Sequence, residues 1–275
     1  MLTKVARLTD RSVRYLEAGS GRALVLLHAF PLCADQWLPQ LHRVPPGWRF
    51  VAPDLRGFHG AGPALEDVGL DTATMETHAA DVLSLMSHLE IERAVIGGLS
   101  MGGYVALALG RRAPARVGGL VLANTRATAD SVEGLAARDR MIALAGREGP
   151  AGVAREMLPK LLGETTRRDQ PELAGVLRQL IERNSSAGII SAIRAMKGRT
   201  DSTPVLRAIA CPTLIVAGAE DAVIPDAESE TLHQAIPGAT RVVIPRAGHL
   251  SNLEAPVAFN AALADFLGEI TPGVF

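Results

Sequence analysis

The chain has 275 residues, 48% hydrophobic and 21% charged, which suits one large domain or a domain with a sizeable insertion. Its 28 Lys and Arg against 29 Asp and Glu leave a net charge of −1, without the basic footprint that nucleic-acid phosphates demand. The 2 cysteines, Cys33 and Cys211, offer neither a disulfide framework nor metal-ligand spacing, and each reads as filler of a small apolar space.

The N-terminal "MLTKVARLTDRSVRYLEAG" alternates polar and apolar residues and lacks the apolar segment of a signal peptide. No run approaches the roughly 18 apolar residues of a membrane span. A cytoplasmic protein without nucleic-acid or membrane partners is expected. "VARLTD" and "RSVRYLEAG" read as an antiparallel hairpin turning at Thr9-Asp10-Arg11. From Ala23 to Leu27 every residue is apolar, the mark of a strand buried on both faces of a parallel sheet. Similar runs recur at Arg49–Leu55, Arg93–Leu99, Gly118–Asn124, Pro212–Gly218 and Thr240–Pro245. Between them, Thr72–Leu89, Ser100–Arg112, Ala227–Ala235 and Pro256–Leu267 carry helical periodicity. Strands alternating with helices predict an α/β fold with a mostly parallel central sheet.

Between Thr125 and Pro204 that alternation stops. "ADSVEGLAARDRMIALAG", "GPAGVAREMLPKLLG", "QPELAGVLRQLIERN" and "SAGIISAIRAMKG" all read as helices broken by Gly and Pro. The expected organisation is a core of 1–124 and 205–275 with an all-helical cap over 125–204. Inserted after the C-terminal end of a strand, such a segment would lie over the ligand crevice of the sheet as a lid.

Gly98-Leu99-Ser100-Met101-Gly102 is a G-x-S-x-G pattern between a strand and a helix, the setting of a nucleophile elbow. Glycines at 98 and 102 fit a turn too crowded for Cβ atoms, with the Ser100 hydroxyl raised at the positive end of the helix. The competing reading is a serine N-cap on a glycine-rich turn. A serine nucleophile needs a base. Of 7 histidines, His78, His88 and His233 fall on helices and His42 near a helix end, where solvated or capping roles suit them. His249 stands in a loop after the last strand, in the Ser…Asp/Glu…His order of nucleophile, acid and base. The acid that orients the imidazole falls in "LIVAGAEDAVIPD", with Asp221 preferred and Glu220 next. The alternative acid position, after the strand that follows the nucleophile helix, holds Asn124, which carries no charge. Oxyanion donors are expected from the Met101 N–H and from "HAFP", where Phe30 has an N–H and Pro31 has none. His28 reads as a hydrogen-bonder beneath that loop.

With these pieces in order, the chain resembles the α/β-hydrolase superfamily, and within it small esterases, 3-oxoadipate enol-lactonases and cofactor-free haloperoxidase-like enzymes. "LVLLHAFP", "VAPDLRGF", "VIGGLSMGGYVALAL", "LIVAGAEDAVIP" and "AGHLSNLEAP" carry the resemblance, which covers all but the helical segment. It implies Ser100 as nucleophile, Asp221 as acid, His249 as base, and Phe30 with Met101 as oxyanion hole. Two departures stand out: Ala29 replaces a frequent glycine, and His59-Gly60-Ala61-Gly62 reshapes the loop after Phe58, with His59 expected to be exposed. A serine rather than a carboxylate nucleophile argues against a haloalkane dehalogenase.

The reading is therefore a serine hydrolase, a carboxylesterase acting on small, largely apolar esters through an acyl-enzyme. Enol-lactone hydrolysis or a cofactor-free perhydrolase activity is the alternative, and a non-catalytic ligand-binding homologue the remote one. No metal or organic cofactor is required. The expected partner is a small ester or lactone, on a monomer or homodimer. A lactonase for a dicarboxylate-like substrate needs a cation in its pocket, for which Arg126 is the candidate, with a surface role as the alternative.

Overall fold

The computed structural model describes residues 1–59 and 69–270. Gly60, Ala61 and Gly62 of the unusual loop lie outside that range. The eight strands are β1 (Leu2–Arg7), β2 (Ser12–Gly19), β3 (Arg22–Leu27), β4 (Trp48–Pro53), β5 (Ala94–Leu99), β6 (Val117–Ala123), β7 (Thr213–Gly218) and β8 (Thr240–Ile244). They form one sheet in the order β1-β2-β4-β3-β5-β6-β7-β8. The hairpin β1–β2 and the β2–β4 pair are antiparallel, and every pair from β4 through β8 is parallel.

The uniformly apolar runs are explained by cover on both faces. Along β3, Val25 and Leu27 join one core cluster with α2 (Met75–His88), α3 (Met101–Arg112) and Leu232 of α8 (Asp226–Ala235). Leu24 and Leu26 point the other way, into a cluster with Trp37 and with Phe259, Leu263 and Leu267 of α10 (Pro256–Glu269). Each such buried side chain contributes roughly 1.5–3 kcal/mol, so a polar residue within β3 would be costly on either face.

The remaining helices are α1 (Leu38–Leu41), α4 (Val132–Leu161), α5 (Glu164–Asp169), α6 (Glu172–Glu182), α7 (Ser186–Lys197) and α9 (Ser251–Glu254). Helices α4 to α7 all fall between β6 and β7. The first two helical stretches expected there run together as α4, which kinks at Gly149, whose φ of 65° leaves the helical region. The short α5 is an element that the periodicity did not single out. The helix expected to begin at Thr72 begins at Met75, because Thr74 caps it by accepting a hydrogen bond from the Thr77 N–H. No helix among the described residues is long and apolar enough to cross a membrane.

Parallel strands place all their C-terminal ends on one edge of the sheet. The chain leaves β3 toward β4 on one side, while β5 pairs with β3 on the other. The order thus reverses between β3 and β5, and ligands of such sheets bind outside the strand ends at that reversal. The loop after β3 is "HAFP", and the turn after β5 holds Ser100.

Candidate active site

Ser100 follows a fully buried β5 and has φ 55° and ψ −113°, a conformation costing of order 1–3 kcal/mol for a residue with a Cβ. Neighbouring bonds hold it there. Its N–H donates to the Ala123 carbonyl at 2.9 Å, and its own carbonyl accepts from the Thr125 hydroxyl at 2.8 Å. A Cβ at Gly98 would fall well under 3.0 Å from the backbone of Gly102, and one at Gly102 equally close to the Leu27 carbonyl. The turn is closed to any larger residue at either position. Ser100 stands at the N-cap of α3, yet its side chain makes no capping hydrogen bond. The N-cap reading of the sequence therefore describes its position and not its hydroxyl. Met101 opens α3, where helix geometry gives its N–H no intrahelical acceptor.

The turns after β7 and β8 bring Asp221 and His249 together. His249 Nδ1 lies 2.9 Å from Asp221 Oδ2 and 3.0 Å from Oδ1, with the two side chains 1% and 3% exposed. Asp221 Oδ1 also accepts from the N–H groups of Val223 at 2.8 Å and Ile224 at 3.0 Å. Burial pushes the Asp221 carboxyl up. The His249 imidazole, the Ile224 N–H and the Asn124 amide outweigh that and leave it below the usual carboxylate range. An ionised Asp221 keeps the proton of neutral His249 on Nδ1, which leaves Nε2 with a lone pair able to accept a proton.

Asn124, set aside in the sequence because it carries no charge, belongs to this assembly. Its φ is 45°, and its Nδ2 donates to Asp221 Oδ2 at 2.9 Å and to the Gly248 carbonyl at 3.2 Å. Its Oδ1 accepts from the Ser251 hydroxyl at 2.5 Å. The signal in the sequence was its place at the end of β6, which pairs with β5. Among the described residues no hydrogen bond joins Glu220 to His249. Its carboxylate accepts from the Thr165 N–H at 2.7 Å and the Thr165 hydroxyl at 2.6 Å, across in the helical segment.

The "HAFP" loop is fixed from beneath. His28 is fully buried; its Nδ1 bonds the Ala29 carbonyl and its Nε2 accepts from the Leu55 N–H, both at 3.0 Å. The Ala29 N–H donates to Gln36 at 2.8 Å. One layer below, Arg14 pairs with Asp35 at 2.6 Å and with Asp54 at 3.0 Å, and Asp54 accepts the Ala34 N–H. Arg14 belongs to β2, whose alternation suggested a polar face, but it is only 5% exposed. Phe30 leaves β3 on this loop, and its peptide bond to Pro31 is cis. Phe30 and Met101 thus flank the β3–β5 reversal from opposite sides.

The other candidates lie elsewhere. Arg126 pairs with Asp130 at 2.5 Å, and Asp130 also binds Arg138 and Arg199, so Arg126 belongs to an internal ion cluster. Arg199 of this cluster lies 4.3 Å over the Tyr104 ring. His59 is half-buried rather than exposed, and its N–H donates to Asn184 of the helical segment at 2.9 Å. His78 is fully buried rather than solvated, with neither ring nitrogen hydrogen-bonded among the described residues. Burial lowers it to about 4. Cys33 is buried, which pushes its thiol up, away from nucleophilic use. Among the described residues no group of three or more His, Cys, Asp or Glu side chains gathers for a metal ion.

Residues 22–256 match the family model described as the alpha/beta hydrolase fold. The chain belongs to this family of hydrolases. It is 28% identical to 3-oxoadipate enol-lactonase 2 of Acinetobacter baylyi over 88% of this chain and 86% of that one. Among solved structures, a thermophilic esterase from Thermogutta terrifontis is 37% identical, with a TM-score of 0.91 over 97% of this chain and 99% of that one. The enol-lactonase from Burkholderia xenovorans LB400 is 30% identical, with a TM-score of 0.87 over 97% of this chain and 100% of that one.

Proposed function

We propose that the protein is a serine carboxylesterase acting on small, largely apolar esters through an acyl-enzyme, with Ser100, His249 and Asp221 as its triad. The observation that carries this reading is that one edge of the parallel sheet holds both a strained, uncapped serine at the strand reversal and an imidazole whose Nδ1 is held by a buried, ionised carboxylate. Ser100 Oγ attacks the ester carbonyl while His249 Nε2 takes its proton. The Phe30 and Met101 N–H groups receive the oxyanion, at the positive end of α3. His249 then protonates the leaving alcohol, and a water activated by the same nitrogen releases the acid. The segment 125–204 acts as the cap over this site. Its support is contact with the site loops: Asn184 donates to the Pro31 carbonyl at 2.9 Å, and Gly163 packs against Gly248.

Lactone hydrolysis is the second reading, favoured by the likeness to the Burkholderia enol-lactonase. It uses the same attack, with the leaving oxygen tethered to the acyl group. Esters stand first because Arg126, the one cation put forward for a carboxylated lactone, is engaged by Asp130.

Titration with a fluorophosphonate and hydrolysis of p-nitrophenyl acyl esters test the proposal. Ser100→Ala is expected to abolish labelling and to lower kcat by about a million-fold, as removal of a triad serine does. Folded wild-type protein that fails to label at Ser100 would overturn the reading. A matched panel of lactones ranks the two substrates, and turnover of lactones without short esters reverses their order.

A further inference from the structure

Three backbone segments meet beside the triad with no room between them. A Cβ at Gly218, at the end of β7, would strike the carbonyls of Ala247 and Gly248. A Cβ at Gly248, next to His249, would strike the Gly163 N–H and the Leu162 carbonyl carbon on its other side. The acid loop, the base loop and the helical segment are thus stacked in that order at van der Waals distance. Close backbone packing of this kind transmits displacement because it has no side chain to yield.

Two carboxylates close the stack. Glu220, the residue before Asp221, receives the Thr165 N–H and hydroxyl, while its own N–H donates to the Ala247 carbonyl at 2.8 Å. Glu254, 3% exposed, accepts the Gly163 N–H at 2.8 Å through one oxygen and the Leu250 N–H at 2.9 Å through the other. The donors of one strap are Gly163 and Leu250, which bracket the base loop. Those of the other come from Thr165, while the acceptor is on the acid loop itself. Glu220 has a half-buried side chain, and its bonds hold its carboxyl below the usual range, the Thr165 hydroxyl most of all, with Arg168 and Arg246 adding to the effect.

We infer that Glu220 is a positioning residue for the hydrolytic reaction: by strapping Thr165 it presses the Gly163 segment onto Gly248 and so sets the distance and angle between Asp221 and His249. On this account the helical segment is not a freely hinged lid at its α4–α5 end. It is part of the frame that holds the triad, and any opening for substrate takes place away from Gly163. The inference rests on the serine-hydrolase reading.

The test uses the rate of fluorophosphonate inactivation, resolved into an affinity (KI) and a maximal rate (kinact), on the full chain. Cutting the strap with Glu220→Ala is expected to lower kinact about ten-fold, since sub-ångström misplacement of reacting groups carries penalties approaching a hundred-fold per ångström. KI stays within about two-fold, because the acyl pocket is not altered. Glu220→Gln, whose amide oxygen still accepts from Thr165, restores most of kinact. Thr165→Val removes the hydroxyl donor but leaves the backbone N–H bonded to Glu220, so it is expected to lower kinact in the same direction by about three-fold, which keeps the test open if Glu220→Ala folds poorly. An unchanged kinact in both strap variants overturns the inference, and so does a loss confined to KI. If wild-type protein does not label, the serine-hydrolase reading itself fails, a different outcome from labelling at wild-type rates after the strap is cut.

Discussion

The two halves of the site hold their loops by different means. On the side of the proposed oxyanion hole, "HAFP" rests on side chains: His28, Gln36 and the buried set Arg14, Asp35 and Asp54, which are 5%, 7% and 4% exposed. On the side of Asp221 and His249, main chain packs directly against main chain at Gly218, Gly248 and Gly163, and the Asn124, Glu220 and Glu254 side chains bond across that contact. Charges that replace their hydration with one another fix geometry only while every partner is present. Stacked backbone tolerates surface changes but admits no added atom. Substitutions on the first side should therefore appear as lost stability, and those on the second as lost rate with the fold intact.

Asp54→Ala is the sharpest way to break this contrast. It leaves Arg14 with Asp35 alone and takes the acceptor from the Ala34 N–H. Removing one member of a buried ion-paired set costs about 3–5 kcal/mol, read from urea denaturation. A loss below about 1 kcal/mol would mean that the ion pairs do not hold the loop. His78 gives a smaller effect that depends on acid. Burial depresses it from 6.5 to about 4, so the folded state excludes a proton that the unfolded chain accepts. Its contribution is fully present above pH 6.5 and declines as pH falls toward 4. The total approaches about 3 kcal/mol, with a slope of about 1.4 kcal/mol per pH unit in that window. His78→Leu should flatten the stability–pH curve there by that slope and leave pH 8 stability equal or higher, since two unpaired ring nitrogens leave the core. Parallel curves for the two proteins would refute this account of His78.

Short-range pattern made much of the frame readable. Five of the six strand runs are buried as read, while β8 at the sheet edge has only Ile244 buried; these runs, the elbow and the His249 loop each occupy a few consecutive residues. The choice of Asp221 over Glu220 also has a local cause, because Asp221 Oδ1 accepts N–H groups two and three residues ahead. What the sequence hid was partnership at a distance. Arg14 reads as the outward residue of an alternating strand until Asp35 and Asp54, 21 and 40 positions on, close over it. Asn124 reads as the absence of an acid, although its amide spans Asp221 and Gly248. Glu220 reads as the second choice of acid until Thr165, 55 positions away, returns to it. His78 lies on a correctly placed helix, but periodicity assigns a polar residue to no face with certainty when the helix is covered by its neighbours.

Asn184 joins the two means of support and offers the finest test. Its Nδ2 donates to the Pro31 carbonyl at 2.9 Å and to the Leu180 carbonyl at 3.2 Å, and its Oδ1 accepts the His59 N–H. It is 3% exposed, and through it the helical segment reaches the "HAFP" loop by a side chain where Gly163 reaches the His249 loop by backbone. Asn184→Ala should cost about 1–2 kcal/mol for the buried groups left without partners. The informative variant is Asn184→Asp, which still accepts from His59 but can no longer donate to Pro31. If donation to Pro31 is what sets the Phe30 N–H, the aspartate should lose as much kcat as the alanine, about three- to ten-fold for a misaligned oxyanion donor short of full removal. If instead the His59 bond is what matters, the aspartate should keep wild-type kcat while the alanine loses it. Equal kcat in all three proteins would confine Asn184 to stability, and the contrast between the two halves would then rest on the buried charges alone.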